Sequence, residues 1–134
     1  MSGRFITVDS ETARTAALRL DLDLTRALLK RDPDHLAALL LLGDTLTRIG
    51  EHEDALMVDR HLTELRPRDA LVRYNLACSF SNMNRIDEAL TELAMAIRLG
   101  YREFDHMLRD PDLSNVRRDP RFRGLIRRLR RIKA

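Results

Sequence analysis

The feature that most constrains this chain is a self-similarity at a spacing of 34 residues. Residues 36–69 laid over 70–103 pair Leu42 with Leu76, Ala55 with Ala89, Leu56 with Leu90, Leu65 with Leu99 and Arg68 with Arg102. Side-chain classes repeat as well: Gly43 and Ala77 are small, Leu46/Phe80 and Ile49/Met83 apolar, and Glu53-Asp54/Asp87-Glu88 acidic. A period of this length marks stacked supersecondary units. In the first unit Leu39, Leu42, Leu46 and Ile49, then Ala55, Leu56, Leu62 and Leu65, follow helical spacing. The runs break at Gly50 and, one period on, at Asn84, the residue types that most readily take the left-handed conformation ending a helix. The acidic pairs that follow suit a first helical turn, where negative charge meets the positive end of the helix dipole. Each unit is therefore predicted to be a helix pair, and the fold all-α.

The pattern resembles the tetratricopeptide repeat, whose signature runs W-x2-L-G-x2-Y, then A-x3-F, then P. The first unit carries Leu39-x2-Leu42-Gly43-x2-Leu46, then Ala55 and Pro67, and departs at Asp59 and Leu62. The second carries Leu76-Ala77-x2-Phe80, then Ala89, Leu93 and Ala96, with Arg73 at the Trp position and Gly100-Tyr101 in place of proline. The resemblance implies a short superhelix of antiparallel helix pairs whose concave groove, lined by the first helix of each pair, binds an extended or helical peptide. It implies groove positions at Ala37, Leu40, Asp44, Thr47 and Arg48, and at Leu71, Tyr74, Asn75, Cys78, Ser81 and Asn82. Tyr74 is the expected exposed hot spot and Asn75 the expected partner of a peptide backbone. Members that clamp a terminal carboxylate use Lys and Asn at positions that here read Leu40, Asp44 and Cys78, with Asn75 alone agreeing. Asp44 instead favours a ligand with a basic residue.

Repeats of this kind bury their apolar faces only against neighbours, so the flanks must complete the array. Upstream, Ala17, Leu20, Leu24 and Leu28 make a helical stripe, and Pro33 precedes Pro67 by one period. Leu18, Leu20, Leu22 and Leu24 alternate as a strand would, but a helix is predicted because the neighbouring segments are helical. Downstream the chain resembles a closing segment, with a short helix near 102–109, a loop through Pro111 and a final helix opened by Asp119-Pro120. The expected organisation is one helical-repeat domain: an N-terminal helix or degenerate repeat at 10–35, repeats at 36–69 and 70–103, and a capping segment at 104–134.

Charge is divided along the chain. Residues 1–116 hold 15 basic against 20 acidic residues, while 117–134 hold nine basic residues against Asp119 alone. In the final helix Phe122, Leu125, Ile126, Leu129 and Ile132 form one apolar stripe, leaving Arg121, Arg127, Arg128, Arg130 and Arg131 on the other faces. One reading is a cap on the helix at 86–99 with a soluble outer face. The other is a binder of acidic surfaces, whether nucleic acid, anionic membrane or acidic protein. Phe122 is the tail's lone aromatic and belongs to the stripe, which disfavours nucleic acid. A basic tail meeting the acidic body of a second copy, giving a homo-oligomer, remains open.

Little in the sequence points to catalysis, metals or cofactors, and the expectation is a non-enzymatic scaffold binding a protein or peptide. His35, His52, His61 and His106 lack metal-ligand spacing and read as surface residues. Cys78 has no base beside it, and no phosphate loop is present. A single cysteine excludes an intrachain disulfide, no apolar run reaches the length of a membrane span, and a reducing cytoplasm is the expected location.

Overall fold

A computed structural model describes residues 7–131. Among these the chain forms eight α-helices and no strand. Helix α1 spans Ser10–Arg31, α2 Leu36–Arg48, α3 His52–Leu65, α4 Ala70–Asn82, α5 Ile86–Arg98, α6 Phe104–Met107, α7 Ser114–Arg117 and α8 Pro120–Arg130, with a 3₁₀ turn at Pro111–Leu113 before α7. Helices α1 to α5 pack in sequence as antiparallel neighbours.

The alternating leucines resolve as helix. Asp9 caps α1 by accepting from the Thr12 amide at 2.7 Å. Leu18 and Leu22 are then partly covered, while Leu20 and Leu24 remain 69% and 55% exposed. Period-2 alternation on a helix thus splits between two faces, and α1 rests on α2 by the covered one.

The predicted breaks fall where expected. Gly50 takes φ 84° and Asn84 φ 57°. Behind them Glu51 N donates to Leu46 O at 2.9 Å and Arg85 N to Phe80 O at 2.8 Å, satisfying carbonyls left open at the ends of α2 and α4. Ala55, Ala77, Ala89 and Ala96 are fully buried, and these small side chains let successive helices approach closely. His35 is an unexpected cap: its Nδ1 accepts from the Ala38 amide at 3.1 Å, starting α2.

The closing segment is more ordered than a loop. Asp110 accepts from the Asp112 amide and Pro111 follows at the first position, which winds the predicted loop into the 3₁₀ turn. Leu113 and Val116 are then fully buried against α4 and its surroundings. Asp119 and Pro120 open α8 as predicted. Phe122, Leu125, Ile126 and Leu129 are buried, and α8 packs on α5. Ile132 and Lys133 lie outside the described residues. No helix among the described residues is long and apolar enough to cross a membrane.

Candidate functional site

Helices α2 and α4 present one side of a cavity of ≈ 530 Å³, and the segment following α5 closes its end. Of the sequence-predicted groove residues, Asp44, Thr47, Arg48, Leu71, Tyr74, Asn75 and Cys78 line it together. Asp59, Tyr101, His106, Asp110, Pro111 and Asp112 complete the wall, with Gly43 beneath Asp59.

Tyr74 corrects the expectation of an exposed hot spot, since only 3% of its surface is accessible. Its ring stacks on Tyr101 with centroids 4.2 Å apart and planes 7° from parallel, and its hydroxyl donates to Asp110 Oδ2 at 2.5 Å. Burial, the negative groups around it and the bond to Asp110 raise its pKa far above the usual value, so it stays a neutral donor. Tyr74 is a fixed wall whose exposure was taken up by Tyr101 and Asp110, both from beyond α5.

Four other groove positions are also corrected, and of these Ala37 is exposed outside the cavity lining. Leu40 is partly buried in a small cluster with Leu39, Leu62 and Val72 and does not line the cavity. Ser81 is fully buried: its Oγ accepts from the Val116 amide at 3.1 Å and its carbonyl from Asn115. Asn82 donates to Asp112 Oδ1 at 3.2 Å. Both hold the closing segment onto α4. Cys78 lines the cavity but is nearly buried, and burial together with the charge of Asp110 drives its thiol pKa well up, keeping it protonated.

Asp59 is the deepest charge of the site, with 4% exposure. Ser79 Oγ donates to its Oδ2 at 2.5 Å. Burial pushes its carboxyl up to about 6, with the Ser79 bond opposing and Asp112 adding to the rise. Burial also raises Asp112, helped by the charge of Asp110 and opposed by the Asn82 bond. Arg48 is the cavity's lone Lys or Arg side chain among the lining residues, and its Nε is paired with Asp44 at 3.1 Å. Leu71 stands 52% exposed on the rim, and the Asn75 amide makes no hydrogen bond among the described residues.

Part of the chain is distantly similar to a chloroplastic plant protein. That protein, from Arabidopsis thaliana and built with a tetratricopeptide-repeat domain, is 28% identical over 88 residues, which take in 63% of this chain and 26% of the plant protein. The similarity is to about a quarter of the relative's length. No family profile matches the chain, and no solved structure matches it.

The predicted tail residues fall on α8 and its end, outside the cavity. Arg121 pairs with Asp119 at 2.9 Å and Asp87 at 2.7 Å, and its pKa is raised by those two carboxylates in that order. Arg130 lies over the Phe104 ring at 5.4 Å. Arg127, Arg128 and Arg131 are exposed and make no ion pair among the described residues. No three His, Cys, Asp or Glu side chains of the described residues are arranged to hold a metal ion.

Sequence reasoning missed the carboxylates that give the site its character. Asp59 was visible as a departure from the repeat, as was Tyr101 in place of proline. Asp110 and Asp112 flank Pro111 in a segment with no counterpart one period earlier, so periodicity carried no signal for them.

Proposed function

We propose that this chain is a non-catalytic helical-repeat adaptor, of the tetratricopeptide kind, that holds a segment of a partner polypeptide in the groove between α2, α4 and the closing segment. The observation that carries the reading is that seven of the residues the resemblance assigned to the groove line one cavity. An exposed leucine, an uncommitted amide and a rigid aromatic floor meet there, the mixture of apolar anchor and placed polar groups that peptide sites use. The two helix pairs, α2–α3 and α4–α5, act as repeats in this reading, with α1 and α8 covering the ends. A lone protonated thiol fits a reducing compartment, the cytoplasm in the first instance.

The second reading, binding of acidic surfaces through α8, rests on the unpaired Arg127, Arg128 and Arg131. Affinity capture separates the two. The adaptor reading expects a partner retained by the wild type and by an Arg127/Arg128/Arg131→Ser variant but lost from Leu71→Arg combined with Asn75→Ala. Retention by the groove variant and loss from the tail variant, with steep salt sensitivity, would transfer the function to α8.

A further inference from the structure

The groove gathers four aspartates, Asp44, Asp59, Asp110 and Asp112, and not all of their oxygens are used. Both oxygens of Asp110 are occupied: Oδ1 accepts from the Asp112 amide at 3.0 Å, and Oδ2 from Tyr74, with His106 Nε2 at 3.2 Å. Asp59, Asp112 and Asp44 each use one oxygen, toward Ser79, Asn82 and Arg48. Their second oxygens, Asp59 Oδ1, Asp112 Oδ2 and Asp44 Oδ1, accept no hydrogen bond among the described residues. For Asp59 this is decisive, because the carboxylate is 4% exposed and water reaches it only at the cavity wall. Its Oδ1 stands 3.0 Å from the place a side chain on Gly43 would begin, so the missing side chain there leaves the oxygen uncovered.

We infer that the segment held in this groove carries an arginine or lysine whose cation is received by Asp59 Oδ1 and Asp112, with Asp44 at the rim and the side-chain stem along Tyr101 and Leu71. The inference rests on the adaptor reading and specifies its ligand. A cation with several N–H donors supplies what three half-used carboxylates lack, and arginine's planar fork supplies most. Burial raises the value of the bond to Asp59, which is 4% exposed, while Asp112 is half-buried and Asp44 stands in solvent at the rim. Burial is the main cause of the raised pKa of Asp59 and Asp112, and the smaller like-charge part that Asp112 adds to Asp59 and Asp110 to Asp112 is relieved by the same cation. A bare metal ion is a poorer match, because no three of these side chains are arranged around one point. A small free amine would leave Leu71 and Asn75 unused, whereas a polypeptide engages both.

Random dodecapeptides displayed on phage are selected on the immobilised chain, then synthesised and measured by fluorescence anisotropy. Enriched peptides are expected to share an Arg or Lys whose replacement by Gln weakens binding by about tenfold or more, the scale of a charge-assisted bond. Asp59→Asn and Asp112→Asn, each with unchanged helical circular dichroism, are expected to weaken the same peptides about as much, and Leu71→Arg to abolish binding. Peptides that depend on Leu71 but lack a basic residue, or that ignore both Asp→Asn changes, would overturn the cation site and leave the groove reading standing. Failure to select any peptide sensitive to Leu71→Arg would remove the groove reading as well. Self-association in sedimentation that is lost on Arg127/Arg128/Arg131→Ser would assign the carboxylates to a second copy and overturn the proposal.

Discussion

Asp59 stands where the next unit has the fully buried Leu93, and the exchange of an alkyl group for a carboxylate sets the chemistry around it. Folding lifts its pKa from 3.8 to about 6, so the native state binds the proton more tightly than the unfolded chain does. The stability this contributes is present below the unfolded value and is lost as pH rises through about 6. Asp59→Asn keeps the shape and removes the titration. The stability of the Asn variant relative to wild type is therefore expected to rise by about 2–3 kcal/mol between pH 4 and pH 7.5 in urea unfolding. A constant difference across that range would mean that Asp59 is not desolvated as described. The sequence showed Asp59 as a departure from its repeat but not its consequence, because Ser79 is on another helix and Asp112 is outside the repeats. Tyr74 was misread for the same reason. The repeat pattern places it on the groove-forming helix, but Tyr101 and Asp110 cover it from sequence positions that carry no repeat signal.

At the scale of elements, local chemistry decided most of the boundaries. Gly50 has no heavy atom within 4 Å of a potential Cβ, so a methyl there meets only the backbone penalty of φ 84°. Gly50→Ala is expected to destabilise by about 1–2 kcal/mol, while Asn84→Gly at the equivalent turn is neutral or stabilising. Thermal melts of the two variants check this, and equal losses would contradict a backbone origin. These turns were legible because Gly and Asn act through their own torsions. The leucine alternation of α1 was legible only through its surroundings, since a period of two is compatible with a helix partly covered on one side. The stretch after Asp110 was not legible as a 3₁₀ turn and helix. Its order comes from Leu113 and Val116 burying against the repeats and from Ser81 accepting the Val116 amide. His35 was likewise read as a plain surface residue, since a cap through Nδ1 depends on the turn geometry before α2.

For the molecule as a whole, the helix pairs are held between unlike ends. α1 leaves Leu20 and Leu24 in solvent, whereas α8 buries Phe122 and Leu129 to 1% exposure against the other end. Phe122→Ala is expected to remove about 3–5 kcal/mol, a large share of a domain's margin, and to lower the urea midpoint accordingly. A loss below about 1 kcal/mol would argue that α8 does not seal α5. The closing segment thus has two roles: α8 covers the core, and the stretch from Tyr101 to Asp112 builds the acidic end of the groove. The measurement that tests the groove assignment most directly is photocrosslinking in the source cells, with a benzoylphenylalanine placed singly at Leu71 in the groove, at Met57 on α3, or at Arg128 on α8. The account predicts a discrete protein adduct from position 71 and none from 57 or 128; adducts from 128 alone would contradict it.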